Sequence, residues 1–152
     1  MKQEDFRKVL FKSAVSVMAV DGEIHENEIN EIKSIATSTA YFIDFEFESD
    51  LNDIIGDIRT RGKESINDLL GQLGVANLNP TQEIILMEVL IRMVEADNKI
   101  DPSEIKFLNL VRSTLKTTEE ELITKFPKQI NYLLDKTNYG ATNSFDSEIN
   151  IK

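Results

Sequence analysis

Four carboxylates recur at matched spacing in this chain. In VDGEIHENEIN, residues 20–30, Asp21 is followed by Ile24 and then Glu28. In ADNKIDPSEIK, residues 96–106, Asp97 is followed by Ile100 and Glu104 at the same intervals. Each Glu falls at the third position of a coming helix and points back over the turn before it, while each Asp opens that turn. If the two turns pack about a pseudo-two-fold axis, Asp21, Glu28, Asp97 and Glu104 converge. Converging carboxylates repel one another unless some are protonated or a cation neutralises them. Oxygen ligands select Ca²⁺ or Mg²⁺ first and Mn²⁺ less readily. Glu23 and Asp101 stand beside the four as helpers. With one histidine and no cysteine, a zinc site is not expected.

A simpler account needs no ligand. A third-position Glu accepts a hydrogen bond from the backbone N–H of its own helix cap, Asp101 is a standard cap, and the shared isoleucines would pin each turn to a core. Asp21 and Asp97 fit that account less well, because each precedes its cap by four residues. On this alternative the chain is a metal-free helical protein-interaction module whose acidic turns are structural caps.

Other chemistries fail on residue type. An EF-hand read from Asp97 puts Lys99 at a ligand position and Pro102 where Gly belongs; read from Asp21, it puts His25 and Glu26 in place of a ligand and the Gly. No Gly-x-Ser-x-Gly elbow or cysteine nucleophile is present, and His25 falls at the cap of a surface helix, where solvation is expected. No nucleophile, base and orienting group can be assembled, so an enzyme is not expected. The Gly-rich loop of a nucleotide site is missing. The acidic run Asp44, Glu46, Glu48, Asp50 and Asp53 reads as a solvated loop, and Arg59, Arg61 and Lys63 lack interleaved aromatics.

The elements that must hold these turns are helical. Phe6, Val9, Leu10, Ala14, Val17 and Met18 share one helix face, ended by Asp21-Gly22, and Ile29, Ile32, Ile35 and Ala36 form the stripe of a second helix. YFIDFEFES, 41–49, alternates like a strand but has no partner, so a loop or irregular helix is expected. Leu51, Ile54, Ile55 and Ile58 predict a short helix. Ile66, Leu69, Leu70 and Leu73 predict another, ending near Gly71 or Gly74. Asn79-Pro80-Thr81-Gln82 is a capping box with a first-turn proline. The run behind it is apolar nearly all round, with a polar stripe of Glu83, Glu88, Arg92 and Glu95, as suits a central helix ending at Asp97-Asn98. Asp101-Pro102-Ser103-Glu104 starts the next helix, faced by Ile105, Leu108, Val111 and Leu115. A last helical region carries Leu122, Ile123, Phe126, Ile130, Leu133 and Leu134, split by Pro127. The reading is an all-α bundle of about seven helices over 1–135, with a loose polar tail over 136–152. The two turns lie 76 residues apart, and at that offset Leu10 matches Leu86, Val15 matches Ile91, Ile24 matches Ile100, and Ile32 matches Leu108. Two copies make a duplicated hairpin rather than a solenoid.

The totals bound the partners. The 152 residues suit one domain. Acidic residues number 27 against 17 basic, a net charge of -10. That sign opposes nucleic acid and tolerates cations or basic proteins, so an unidentified protein partner is expected. The lack of cysteine fits a reducing cytoplasm. Glu4, Asp5 and Lys12 oppose a signal peptide, and no run is long enough to span a membrane, so a cytoplasmic protein without membrane insertion is expected.

Paired Asp-Gly-x-Ile-x-x-x-Glu turns in an all-helical chain resemble the tellurite-resistance TerB-like family. The first copy is Asp21-Gly22-Glu23-Ile24 with Glu28; the second is Asp97-Asn98-Lys99-Ile100 with Glu104, departing at Asn98, where the family usually has Gly. The resemblance covers roughly 6–36 and 80–115, with no motif matched in 37–78 or the tail. It implies a bundle of about seven helices built from two related halves. It also implies an acidic, metal-associated surface at the turns and a setting in bacterial stress response, including tellurite and phage resistance. No reaction follows from it.

Overall fold

The computed structural model describes residues 1–43, 46–96, 99–129, 132 and 144–151. Those residues form seven α-helices and no strand: α1 (Gln3–Ala19), α2 (Glu26–Ser38), α3 (Phe47–Arg61), α4 (Lys63–Val75), α5 (Pro80–Glu95), α6 (Pro102–Thr114) and α7 (Glu119–Lys125), followed by a 3₁₀ turn, Pro127–Gln129. The all-α bundle expected from the periodicity is therefore what the chain forms, and Pro127 does stop the last helix.

α1 packs against α3, α4, α5 and α6, while α5 also carries α2 and α6. The sequence pointed to α5 alone as the central helix, but α1 shares that role. From Ser13 to Val20 every residue of α1 and its cap is buried. Two serines disguise this stretch. Their hydroxyls donate back to the preceding turn, Ser13 to the Val9 carbonyl and Ser16 to the Lys12 carbonyl, each at 2.7 Å. So satisfied, they enter the core at little cost.

The start of α5 is as expected. Asn79 Oδ1 accepts the Gln82 N–H at 2.8 Å, and Gln82 Oε1 accepts the Asn79 N–H at 3.0 Å. The end at Asp97-Asn98 lies outside the described residues, as do Ile130, Leu133 and Leu134. Two other expectations change. Residues 47–49 belong to α3, which is longer than the short helix expected, because Phe42 and Phe47 both meet the buried Phe11 edge to face, with centroids 5.0 and 6.0 Å away. The α4 helix ends at Val75, beside Gly74 as expected, with Asn77 at φ +53 in the turn that follows. Ile123 is exposed, leaving Leu122 as the buried residue of α7.

Within the stretch expected to be loose, residues 144–151 are described. Phe145 and Ile149 are buried at 1% and 6% exposure, so residues 144–151 pack onto the bundle instead of hanging loose. The polar composition of the region hid two well-spaced apolar anchors.

Glu83 is also displaced from the expected polar stripe. It is 4% exposed, and its carboxylate accepts the backbone N–H groups of Lys116 and Thr117 at 3.0 and 2.8 Å, tying the α6–α7 link to α5. Glu83→Ala would leave those donors without their acceptor and is expected to cost about 1–3 kcal/mol. The exposed Glu88→Ala should stay within about 0.5 kcal/mol. Urea unfolding midpoints of the two variants check the contrast, and equal midpoints would refute it.

Candidate functional site

The first joint follows from how α1 stops. The Val20 N–H reaches the Ser16 carbonyl at 3.1 Å and the Gly22 N–H reaches the Ala19 carbonyl at 3.0 Å. Gly22 then takes φ +84, which side-chain-bearing residues rarely adopt. Asp21 Oδ1 turns inward and accepts the Glu23 N–H at 2.9 Å. His25 caps α2, and Glu28 Oε1 accepts the His25 N–H at 3.3 Å, the back-reaching bond expected of a third-position Glu. His25 is not simply solvated. Its Nε2 stands 3.4 Å from Asp21 Oδ2 and 3.7 Å from Glu23 Oε2.

The second joint enters α6 through Asp101, whose Oδ1 accepts the Ser103 N–H at 2.8 Å, with Pro102 in the first turn. Asp97 and Asn98 lie outside the described residues. The joints meet in space all the same. Asp21, Glu23 and His25 from the first, with Lys99 and Asp101 from the second, line one small cavity of about 160 Å³. At the 76-residue offset of the repeat, Glu23 corresponds to Lys99 and His25 to Asp101. The duplication thus sets opposite charges at the equivalent positions Glu23 and Lys99.

The sequence-predicted residues divide into two layers. Asp21 faces the cavity. Glu28 and Glu104 are each 1% exposed and are not among the residues that line it. Glu23 and Asp101, expected as helpers, are lining residues. Lys99 was missed as a neighbour of Asp21, although aligning the two copies residue by residue sets it opposite Glu23. Among the described residues, no three of His, Asp and Glu are grouped closely enough to hold a metal ion. The donors present are mainly oxygens, the type that hard divalent cations take, while Lys99 brings a positive charge to the same space.

A family model described as Tellurite resistance protein TerB matches residues 8–125. The chain belongs to the TerB family. The match runs through 37–78, where the sequence offered no motif. No curated protein and no solved structure gives a match. Among the described residues, no helix is long and apolar enough to cross a membrane.

Asp21 is electrostatically costly. Burial pushes its carboxyl above the ordinary 3.8, and the charge of Asp101 adds to the rise, against the lowering effect of the Glu23 N–H and of His25. Ionised Asp21 therefore costs the folded chain more than the unfolded one. Below the ordinary aspartate value the cost is absent; it sets in as pH rises through the raised folded value. In cation-free buffer, Asp21→Asn should be more stable than the parent near pH 7, with the gap closing as the pH is lowered to about 3. Urea midpoints across that range measure it. A variant less stable than the parent at neutral pH would mean that Asp21 serves the fold alone.

Proposed function

We propose that this protein is a non-enzymatic stress-response module of the tellurite-resistance type. Its two Asp-x-x-Ile-x-x-x-Glu joints together bind one divalent cation, Ca²⁺ or Mg²⁺ ahead of Mn²⁺. The observation that carries the reading is the meeting of the joints at one cavity with Asp21 half-buried and disfavoured as an anion. An acid kept where its charge is costly is a mark of function more than of folding.

Asp21 and Asp97 are the proposed ligands that open each joint. Asp97 enters through the sequence repeat alone. Glu28 and Glu104 complete the proposed set from the buried layer, with Glu23 and Asp101 at the rim. Lys99 offsets the acidic charge when no cation is bound.

A second reading has its own support. Glu28 makes its cap bond, and an open groove of about 790 Å³ runs between α5 and α7 past Pro80, Ile84, Ile85, Thr118, Glu121 and Lys125. A metal-free protein-interaction module would use such a surface and keep the joints as caps.

Melting temperatures of chelator-stripped protein separate the two. A cation at about a hundred times its dissociation constant adds roughly 2.7 kcal/mol. For a domain of this size that raises the midpoint by about 5–10 °C. The rise is expected for the parent and not for Asp21→Asn/Asp97→Asn. Identical, cation-insensitive melting of both proteins would discard the cation site in favour of the interaction module.

A further inference from the structure

The seat of residues 144–151 has the features of a peptide-recognition site. Asn67 on α4 reads the backbone of a single residue from both sides. Its Nδ2 donates to the Phe145 carbonyl at 2.9 Å, and its Oδ1 accepts the Phe145 N–H at 2.7 Å. A carboxamide used in this way stands in for a neighbouring β-strand and holds an extended chain whatever its side chains. Side-chain reading is added on top. The Phe145 ring is buried with Lys106 Nζ of α6 lying 5.5 Å from its centroid, and the same ammonium pairs with Asp146. Glu148 stands 3.4 Å from Lys63, and Ile149 supplies a second apolar anchor. The site thus takes an extended acidic segment with Phe and Ile four residues apart.

The segment ends on the first joint. A Cβ built on Gly22 would lie 2.8 Å from the Asn150 carbonyl oxygen, and one on Gly62 would lie 3.9 Å from that of Ile149. The backbone of the segment thus presses on the glycine between Asp21 and Glu23, where only a residue without a side chain leaves room.

We infer that residues 144–151 are a resident peptide ligand of a recognition groove formed by Asn67, Lys106 and Lys63, and that its seating holds the first acidic joint in shape. Docking and joint geometry are then coupled, and the coupling is reciprocal. Its consequence for cation affinity rests on the function proposed above; the groove and its hold on Gly22 do not.

The test uses full-length chains: parent, Phe145→Ala and Asn67→Ala. Amide hydrogen exchange is followed at Gly22 and Glu23, and Ca²⁺ is titrated by calorimetry. Both variants are expected to exchange at Glu23 at least about fivefold faster, the lower end of ordinary coupling, while α5 amides keep their protection. Adding the peptide SFDSEINI to Phe145→Ala should restore the slow exchange, and the same peptide with Asp146→Lys should not. Parental exchange at Glu23 in both variants overturns the inference, as does a peptide that fails to restore it. If Phe145→Ala loses protection throughout, Asn67→Ala decides, since it leaves the Phe145 ring in place. If the parent binds no Ca²⁺, the cation proposal fails, and the exchange data still decide this one.

Discussion

α1 and α5 have almost no face to give to solvent, and most of the architecture follows from that constraint. Most of their residues are buried, including two serines in α1 and two polar side chains at the start of α5. Helices of this kind must be wrapped, and α2, α3, α4 and α6 do the wrapping. In the second half of α1, where every residue from Ser13 to Val20 is buried, charge can then meet water only where the helix stops. That is where Asp21 sits, after α1. It is also where Asp97 sits in the sequence, just after α5. The position of the acidic joints is therefore a result of core packing as much as of chemistry.

The same constraint explains how much the sequence disclosed. Helix count and the principal caps were legible because apolar period and cap residues are local signals: Asn79 with Gln82, Asp101 with Pro102. The central role of α1 was not legible, since Ser13 and Ser16 look polar until their hydroxyls are seen bonded to the preceding turn. Glu83 misled for a related reason. Its partners, the amides of Lys116 and Thr117, are more than thirty residues away. The aromatic stretch at 41–49 was ambiguous because its meaning depends on Phe11, in another helix.

The candidate site was half legible. The repeat named the joints and suggested that they meet, and Asp21 and Asp101 are close enough for one charge to act on the other. What spacing did not reveal is depth. Glu28 and Glu104 match Asp21 in pattern yet lie in an inner, buried layer, with His25 and Lys99 at the surface of the same cavity. Equal spacing along two helices fixes which residues correspond; burial is fixed by what packs against each, which a pattern does not carry.

The docked C-terminal segment also bears on how the chain is made. Asn67 bonds to a residue 78 positions later, and Gly22 is covered by Asn150. Contacts across such separations form late, because long loops must close before they are rewarded. The helices can pair as they leave the ribosome, since most of their partners are already synthesised. The first joint cannot be closed over until the stretch around Asn150 has been added. In a growing chain, Asp21 and its neighbours thus remain uncovered long after α1 and α2 have been made, and they are closed over by a segment that lies far along the chain.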